Sequence, residues 1–211
     1  MRYIQIIIFL FISIFSFSQI EINPKVELSL LNGQKLTLNK FTKVDKDAVL
    51  EYQYIKKNGK LKNGYSNYEN IYMLSINGID SVFYEPEDEL SYNVAEMGDI
   101  LLGMQTADKD YKQHWWAFAA GAVVAGGALW LPTYGAVKIV IPVAYFAGMI
   151  FVKPSKSYVY GKYPDFFGNK NFAYGFQREA RKKILVSTSF GMLVGLSLSG
   201  AAWGINALIS K

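Results

Sequence analysis

The amino-acid sequence predicts an α+β membrane protein, in which a small β-domain precedes a linking helix and three C-terminal apolar helices. Two observations carry that prediction. Residues 115–152 form a block of 38 residues with a single charge, Lys138, and residues 184–209 form a block of 26 residues with none. Ahead of them, three Asn-Gly pairs punctuate short alternating runs. A spanning helix needs roughly 20 mostly apolar residues, so both blocks have the length that a bilayer requires. Asn-Gly between alternating runs is a hairpin signal.

Composition agrees with this reading. The chain has 211 residues, of which 51% are hydrophobic and 18% charged. Soluble domains average about 25% charged residues. The formal net charge of +5 is local, because residues 153–183 carry eight Lys and Arg against Asp165 and Glu179. A basic run between two apolar blocks flanks a membrane more often than it binds nucleic acid. Membrane lipid is therefore the expected partner, and nucleic acid is not. The chain has no cysteine, which excludes disulfides, thiol catalysis, thiolate metal sites and acylated cysteine. A single histidine, His114, leaves no histidine-rich metal site. No cofactor or metal is expected.

Residues 1–19, MRYIQIIIFLFISIFSFSQ, have the pattern of a signal peptide. Arg2 supplies the positive start, Ile4 to Phe17 the apolar run, and Ser16 and Ser18 the small residues near a cleavage site. An uncleaved signal anchor is the alternative. Either reading places residues 20–110 outside the cytoplasm.

Residues 20–90 are expected to form an extracytoplasmic β-domain. Asn32-Gly33, Asn58-Gly59 and Asn77-Gly78 each separate runs of strand-forming residues, and Pro86 ends the pattern. Five or six short strands of this kind make a small SH3-like barrel or a meander. Tyr52, Tyr54, Tyr65, Tyr68, Tyr72 and Tyr84 crowd the region. A tyrosine row is either a ligand-binding face or cross-strand packing, and the second is the commoner use. No Ser-His-Asp set, carboxylate pair or phosphate-binding glycine loop is legible. The chain is accordingly read as no enzyme, with no catalytic residue to name.

Residues 91–114 change character. Val94, Met97, Ile100, Leu101 and Met104 recur at three- and four-residue spacing, which is a helical stripe. Asn93 is placed to cap this linking amphipathic helix, and Glu87, Asp88 and Glu89 cluster ahead of it. The run Tyr92, Val94, Glu96, Met97, Ile100, Gly103, Gln105, Ala107, Tyr111, Lys112 resembles a signature of uncharacterised bacterial envelope proteins. So does the later set Tyr163-Pro164, Phe172, Gly175-Phe176, Ala180, Lys182, Lys183. The resemblance covers roughly residues 26–205. It implies the same layout of signal peptide, small β-domain, helix and apolar segments, and it implies no activity. Where that family has Asp before the alanine, this chain has Thr106.

The block 115–152 divides at Leu131-Pro132-Thr133-Tyr134-Gly135 into an apolar helical hairpin of residues 115–131 and 134–152. Trp115, Trp116, Trp130 and Tyr134 suit its ends, Lys138 can snorkel, and Pro142 is expected to kink the second helix. Residues 153–183 read as a basic linker and 184–209 as a transmembrane helix. Small residues fall in register at Gly121, Ala125 and Ala128, and again at Gly191, Gly195 and Ser199. Such stripes let helix backbones approach closely, within one chain or between copies; packing within the chain is the favoured reading.

One conflict follows from the order of the blocks. An external β-domain and three spans put the linker outside, whereas short basic loops prefer the cytoplasm. The functional expectation is a protein of the bacterial cell envelope that displays a β-domain for protein or polymer interaction, without catalysis. An envelope protein or a second copy of the chain is its expected protein partner. The alternative is a transport or channel component built on the glycine-rich helices.

Overall fold

The computed structural model describes residues 25–44, 48–56, 58–112, 115–132 and 135–209. The expected signal peptide, residues 1–19, lies outside them. The described residues form an α+β fold with one six-stranded antiparallel sheet and five α-helices.

The strands are β1 (Val26–Leu30), β2 (Lys35–Val44), β3 (Val49–Ile55), β4 (Leu61–Asn67), β5 (Ile71–Ile76) and β6 (Ile79–Val82). Each Asn-Gly pair closes a hairpin. At the two-residue turn between β5 and β6, Asn77 and Gly78 both have positive φ, 53° and 84°. That geometry matches the twist of the flanking strands and favours these two residue types. At the other two turns the Asn32 and Asn58 side chains accept hydrogen bonds from the backbone N–H two residues on, an Asx-turn lock.

The sheet order is β4-β3-β2-β1-β5-β6, so the first four strands form a meander and the fifth returns beside the first. Leu28 of β1 sits between Leu36 of β2 and Leu74 of β5. Val26, Leu28, Leu30, Leu38, Leu50, Ile71 and Leu74 form the buried core of this domain. Among the described residues no ladder joins β4 to β6. The sheet nevertheless curls. Phe83, just past β6, meets Tyr68 at 5.1 Å between ring centroids, and the Lys43 ammonium of β2 lies 5.4 Å from the centre of the Phe83 ring. In a flat sheet β2 and β6 would stand about 14 Å apart, three strand spacings.

The helices are α1 (Val94–Asp110), α2 (Trp115–Trp130), α3 (Gly135–Met149), α4 (Lys156–Lys162) and α5 (Lys170–Ile209). Asn93 starts α1 with a capping box: its side chain accepts from the Glu96 N–H, and the Glu96 carboxylate accepts from the Asn93 N–H. The helix docks on the sheet through Ile100, Leu101 and Met104, which pack with Leu31 and Tyr72. Tyr72 and Tyr84 fasten its start by donating to the carbonyls of Val94 and Tyr92.

The longest element, α5, has 40 residues, about 60 Å at 1.5 Å per residue. Its first turns face α1, where Gly175 lies against the Ile100 carbonyl. Its later turns face α2, where Gly191 lies against Phe118 and Gly195 against Ala122. On α1 the pairs run from Asp99 with Asn169 to Ala107 with Lys183, and on α2 from Phe118 with Gly191 to Ala122 with Gly195, so partner numbers rise together along both helices. Thus α1 and α2 run parallel to α5, stacked end to end along it. The return helix, α3, brings Met149 back to the cluster that contains Ala117 near the start of α2.

The structure departs from the sequence expectation in one respect. The residues read as a basic linker are not a loop: they contain α4, a 3-10 turn at Pro164–Phe166 and the start of α5. The boundary at 183/184 marks a change from charged to apolar surroundings, with no break in the helix. Phe172, Phe176, Ala180, Ile184 and Thr188 keep one buried row of four-residue spacing straight through it, while the cations occupy the other faces. Among the described residues one helix is long and apolar enough to cross a membrane, Lys170–Trp203. The other apolar helices, α2 and α3, have 16 and 15 residues, about 24 and 22 Å against a hydrocarbon core of about 30 Å.

Candidate functional site

The small residues singled out from the sequence lie along the seam between α2 and α5. Gly121 faces the Thr188 carbonyl, Gly191 the Phe118 carbonyl and Gly195 the Ala122 carbonyl. Ala125 and Ala128 are buried beside them. The Ser199 hydroxyl donates to the Gly126 carbonyl at 3.0 Å. A methyl group on Gly191 or Gly195 would overlap the backbone oxygen opposite. The seam continues into α1, where Gly103 meets Phe172 and Gly175 meets Ile100. Gly103, Gly126 and Gly175 belong to the same seam, and their signal is present in the sequence as small residues at helical spacing. Gly175, Gly191, Gly195 and Ser199 share a four-residue register on α5, interrupted by Glu179, Lys183 and Ser187.

The interruption has its own chemistry. The α1 helix ends beside Lys183, whose ammonium donates to the carbonyls of Ala107 and Tyr111 at 3.1 Å each and also to that of Asp108. It pairs with the Asp108 carboxylate as well. Lys162 of α4 donates to the Asp110 carbonyl, and the Tyr163 hydroxyl donates to the Asp110 carboxylate at 2.8 Å. The last carbonyls of a helix have no partner within it and carry its negative dipole end. Cations from the basic segment answer both needs. Burial, and then the Asp110 carboxylate, push the Tyr163 phenol well above its ordinary range. Lys138 repeats the device at the far end of α2, donating to the Leu129 carbonyl.

A second surface lies on the sheet, on the side away from its core. Asn39 donates to Gln53, and Gln53 donates to Asn63, giving an amide ladder across β2, β3 and β4. Lys40, Thr42, Glu51 and Tyr65 share that neighbourhood around a cavity of about 710 Å³. Tyr65 is 79% exposed. Of the six tyrosines in the region, Tyr52, Tyr54 and Tyr68 pack on the core, and Tyr72 and Tyr84 hold α1. Tyr65 alone is presented outward.

On the same sheet, Glu27 of β1 pairs with Lys25 and Lys35 at 2.8 and 2.7 Å. Its hydrogen bonds to Lys25 and then to Lys35 hold its carboxyl below the usual range. Among the described residues no group of three or more His, Cys, Asp or Glu is placed to hold a metal ion. Comparison of the chain with protein-family models, with curated proteins and with solved structures finds no match.

Proposed function

We propose that this is a non-catalytic membrane protein of the cell envelope. It holds its β-domain against a bilayer surface on α5 and offers the amide-and-tyrosine face of the sheet to a hydroxyl- and amide-rich polymer or to a protein. The observation that carries the membrane part is where the exposed apolar side chains fall. They concentrate on α2, α3 and the second half of α5, with Val123 73%, Ile139 69%, Val143 60%, Leu198 67% and Trp203 71% exposed. Contiguous apolar surface on this scale needs a cover, and these helices carry no charge in that part except Lys138.

The same layout bears on the side of the basic segment. In the proposed arrangement α2 enters the bilayer parallel to α5, α3 returns, and the segment 153–183 lies on the side of the β-domain. Its cations run against the usual cytoplasmic preference. Lys162 and Lys183 serve the end of α1, and Lys182 pairs with Glu179, which supports a structural use for part of that charge. The display reading is favoured over transport because Lys138, the single cation of the apolar block, is engaged by the Leu129 carbonyl.

The interaction surface is tested by retention of the detergent-purified full chain on isolated cell-wall polymer and on envelope protein fractions. The double variant Asn63→Ala, Tyr65→Ala should lose about tenfold in retention, taking one stacked aromatic and one hydrogen-bonded amide together at about 1.5 kcal/mol. Equal retention of variant and wild type would exclude this face as the binding surface.

A further inference from the structure

A groove of about 670 Å³ runs where the β-domain overhangs α5. Asn32 of the β1–β2 turn and Met104 of α1 roof it. Its upper wall is Arg178, Glu179, Arg181 and Lys182, and its lower wall is Leu185, Val186, Ser189, Phe190 and Leu193. The groove therefore changes from cationic to apolar along a single helix face. We infer that this groove binds one anionic phospholipid, with its phosphate between Arg178 and Arg181 and an acyl chain laid along Leu185, Phe190 and Leu193.

Charge complementarity selects the occupant. Three cations and one carboxylate leave two positive charges in excess. The carboxylate of Glu179 is held by Lys182 at 3.2 Å, so it does not oppose the arginines. Among the described residues neither Arg178 nor Arg181 makes an ion pair. Guanidinium groups match a phosphate with paired N–H donors. Length agrees too. From Lys182 to Leu193 the helix rises about 16 Å, close to the depth of one leaflet's hydrocarbon, about 15 Å. Phe190 and Leu193 are 60% and 61% exposed, so the apolar wall is open for a chain to cover. A zwitterionic lipid would fill the lower wall but bring the arginines no net charge to neutralise them.

This inference rests on the membrane reading, and the experiment keeps the two apart. The full chain is reconstituted in nanodiscs made from equal parts of phosphatidylcholine and phosphatidylglycerol. It is then released into detergent, and retained phospholipid is identified by native mass spectrometry. Phosphatidylglycerol should be retained in preference to phosphatidylcholine. The double variant Arg178→Gln, Arg181→Gln should cut that preference about nine- to twenty-five-fold, about three- to fivefold for each cation removed from an anionic headgroup. Ser189→Trp, which fills the lower wall and leaves the charge intact, should also abolish retention. Wild type with no preference for the anionic lipid overturns the inference. So does a Ser189→Trp chain that retains phosphatidylglycerol like wild type, since the attraction then belongs to the basic surface and not to the groove. Carbonate extraction of membranes reports the other reading: release of wild type to the supernatant contradicts membrane anchoring, whatever lipid the protein retains.

Discussion

At the residue scale, the molecule depends on side chains that are absent. Gly191 and Gly195 let α5 approach α2 until backbone oxygen meets glycine Cα, and neither has room for one methyl group. The close approach cannot be regained by a rotamer change, because the obstructing atom is a backbone carbonyl. Gly191→Ala should therefore lower the stability of the detergent-purified chain by about 1–3 kcal/mol, the usual cost of overpacking. Gly127 gives the comparison on the facing helix, where the space that a methyl group would take is open to 4 Å. Gly127→Ala should leave stability unchanged or raise it by up to about 1 kcal/mol through helix propensity. Thermal unfolding followed by tryptophan fluorescence reads both. Equal effects at the two positions would mean that the seam does not hold the helices together.

At the scale of elements, the informative event is the end of α1. The helix stops at Asp110, and α2 starts at Trp115, yet both pack along α5, one after the other. Lys183 fills the step between them by bonding the Tyr111 carbonyl just past the helix end and the Ala107 carbonyl, which also accepts from the Tyr111 N–H. Lys183→Met keeps the stem and removes those bonds, and a hydrogen bond from a charged group contributes about 1.5–3 kcal/mol. The variant should lose stability of that order, and amide exchange should quicken in residues 107–111 ahead of the rest of α1. Uniform exchange along α1 would contradict the capping role.

The same elements show what a sequence reveals and what it hides. The hairpins are legible because Asn-Gly pairs favour tight turns through purely local geometry, and α1 is legible from its stripe and its Asn93 cap. The pairing of β1 with β5 is not, since Leu28 and Leu74 are brought together by tertiary packing over 46 positions of chain with no local mark. The reach of α5 is hidden for a different reason. The cations at 178–183 resemble a flanking loop when counted, but on a helix they occupy the faces away from the row Phe172, Phe176, Ala180, Ile184. In the seam, Gly121, Ala125, Ala128, Gly191, Gly195 and Ser199 stand out as small-residue spacing. The amide ladder does not, because Asn39, Gln53 and Asn63 meet only once the register of three strands is set.

At the scale of the whole molecule, the β-domain and the segment 153–183 share one side of a bilayer in the proposed arrangement, and α5 passes through to the other. The packing of α1 on the sheet and the bonds from Lys162 and Lys183 to the end of α1 tie these two parts together. The chain has no native cysteine, so single cysteines report position directly. The most direct measurement is labelling of Ser81→Cys, Ser157→Cys, Asp165→Cys and Ser210→Cys in intact cells with a membrane-impermeant maleimide, repeated after permeabilisation. The first three should label in intact cells, and Ser210→Cys only after permeabilisation. Labelling of Ser81→Cys with protection of Ser157→Cys and Asp165→Cys would place the basic segment across the membrane from the β-domain and contradict the shared side.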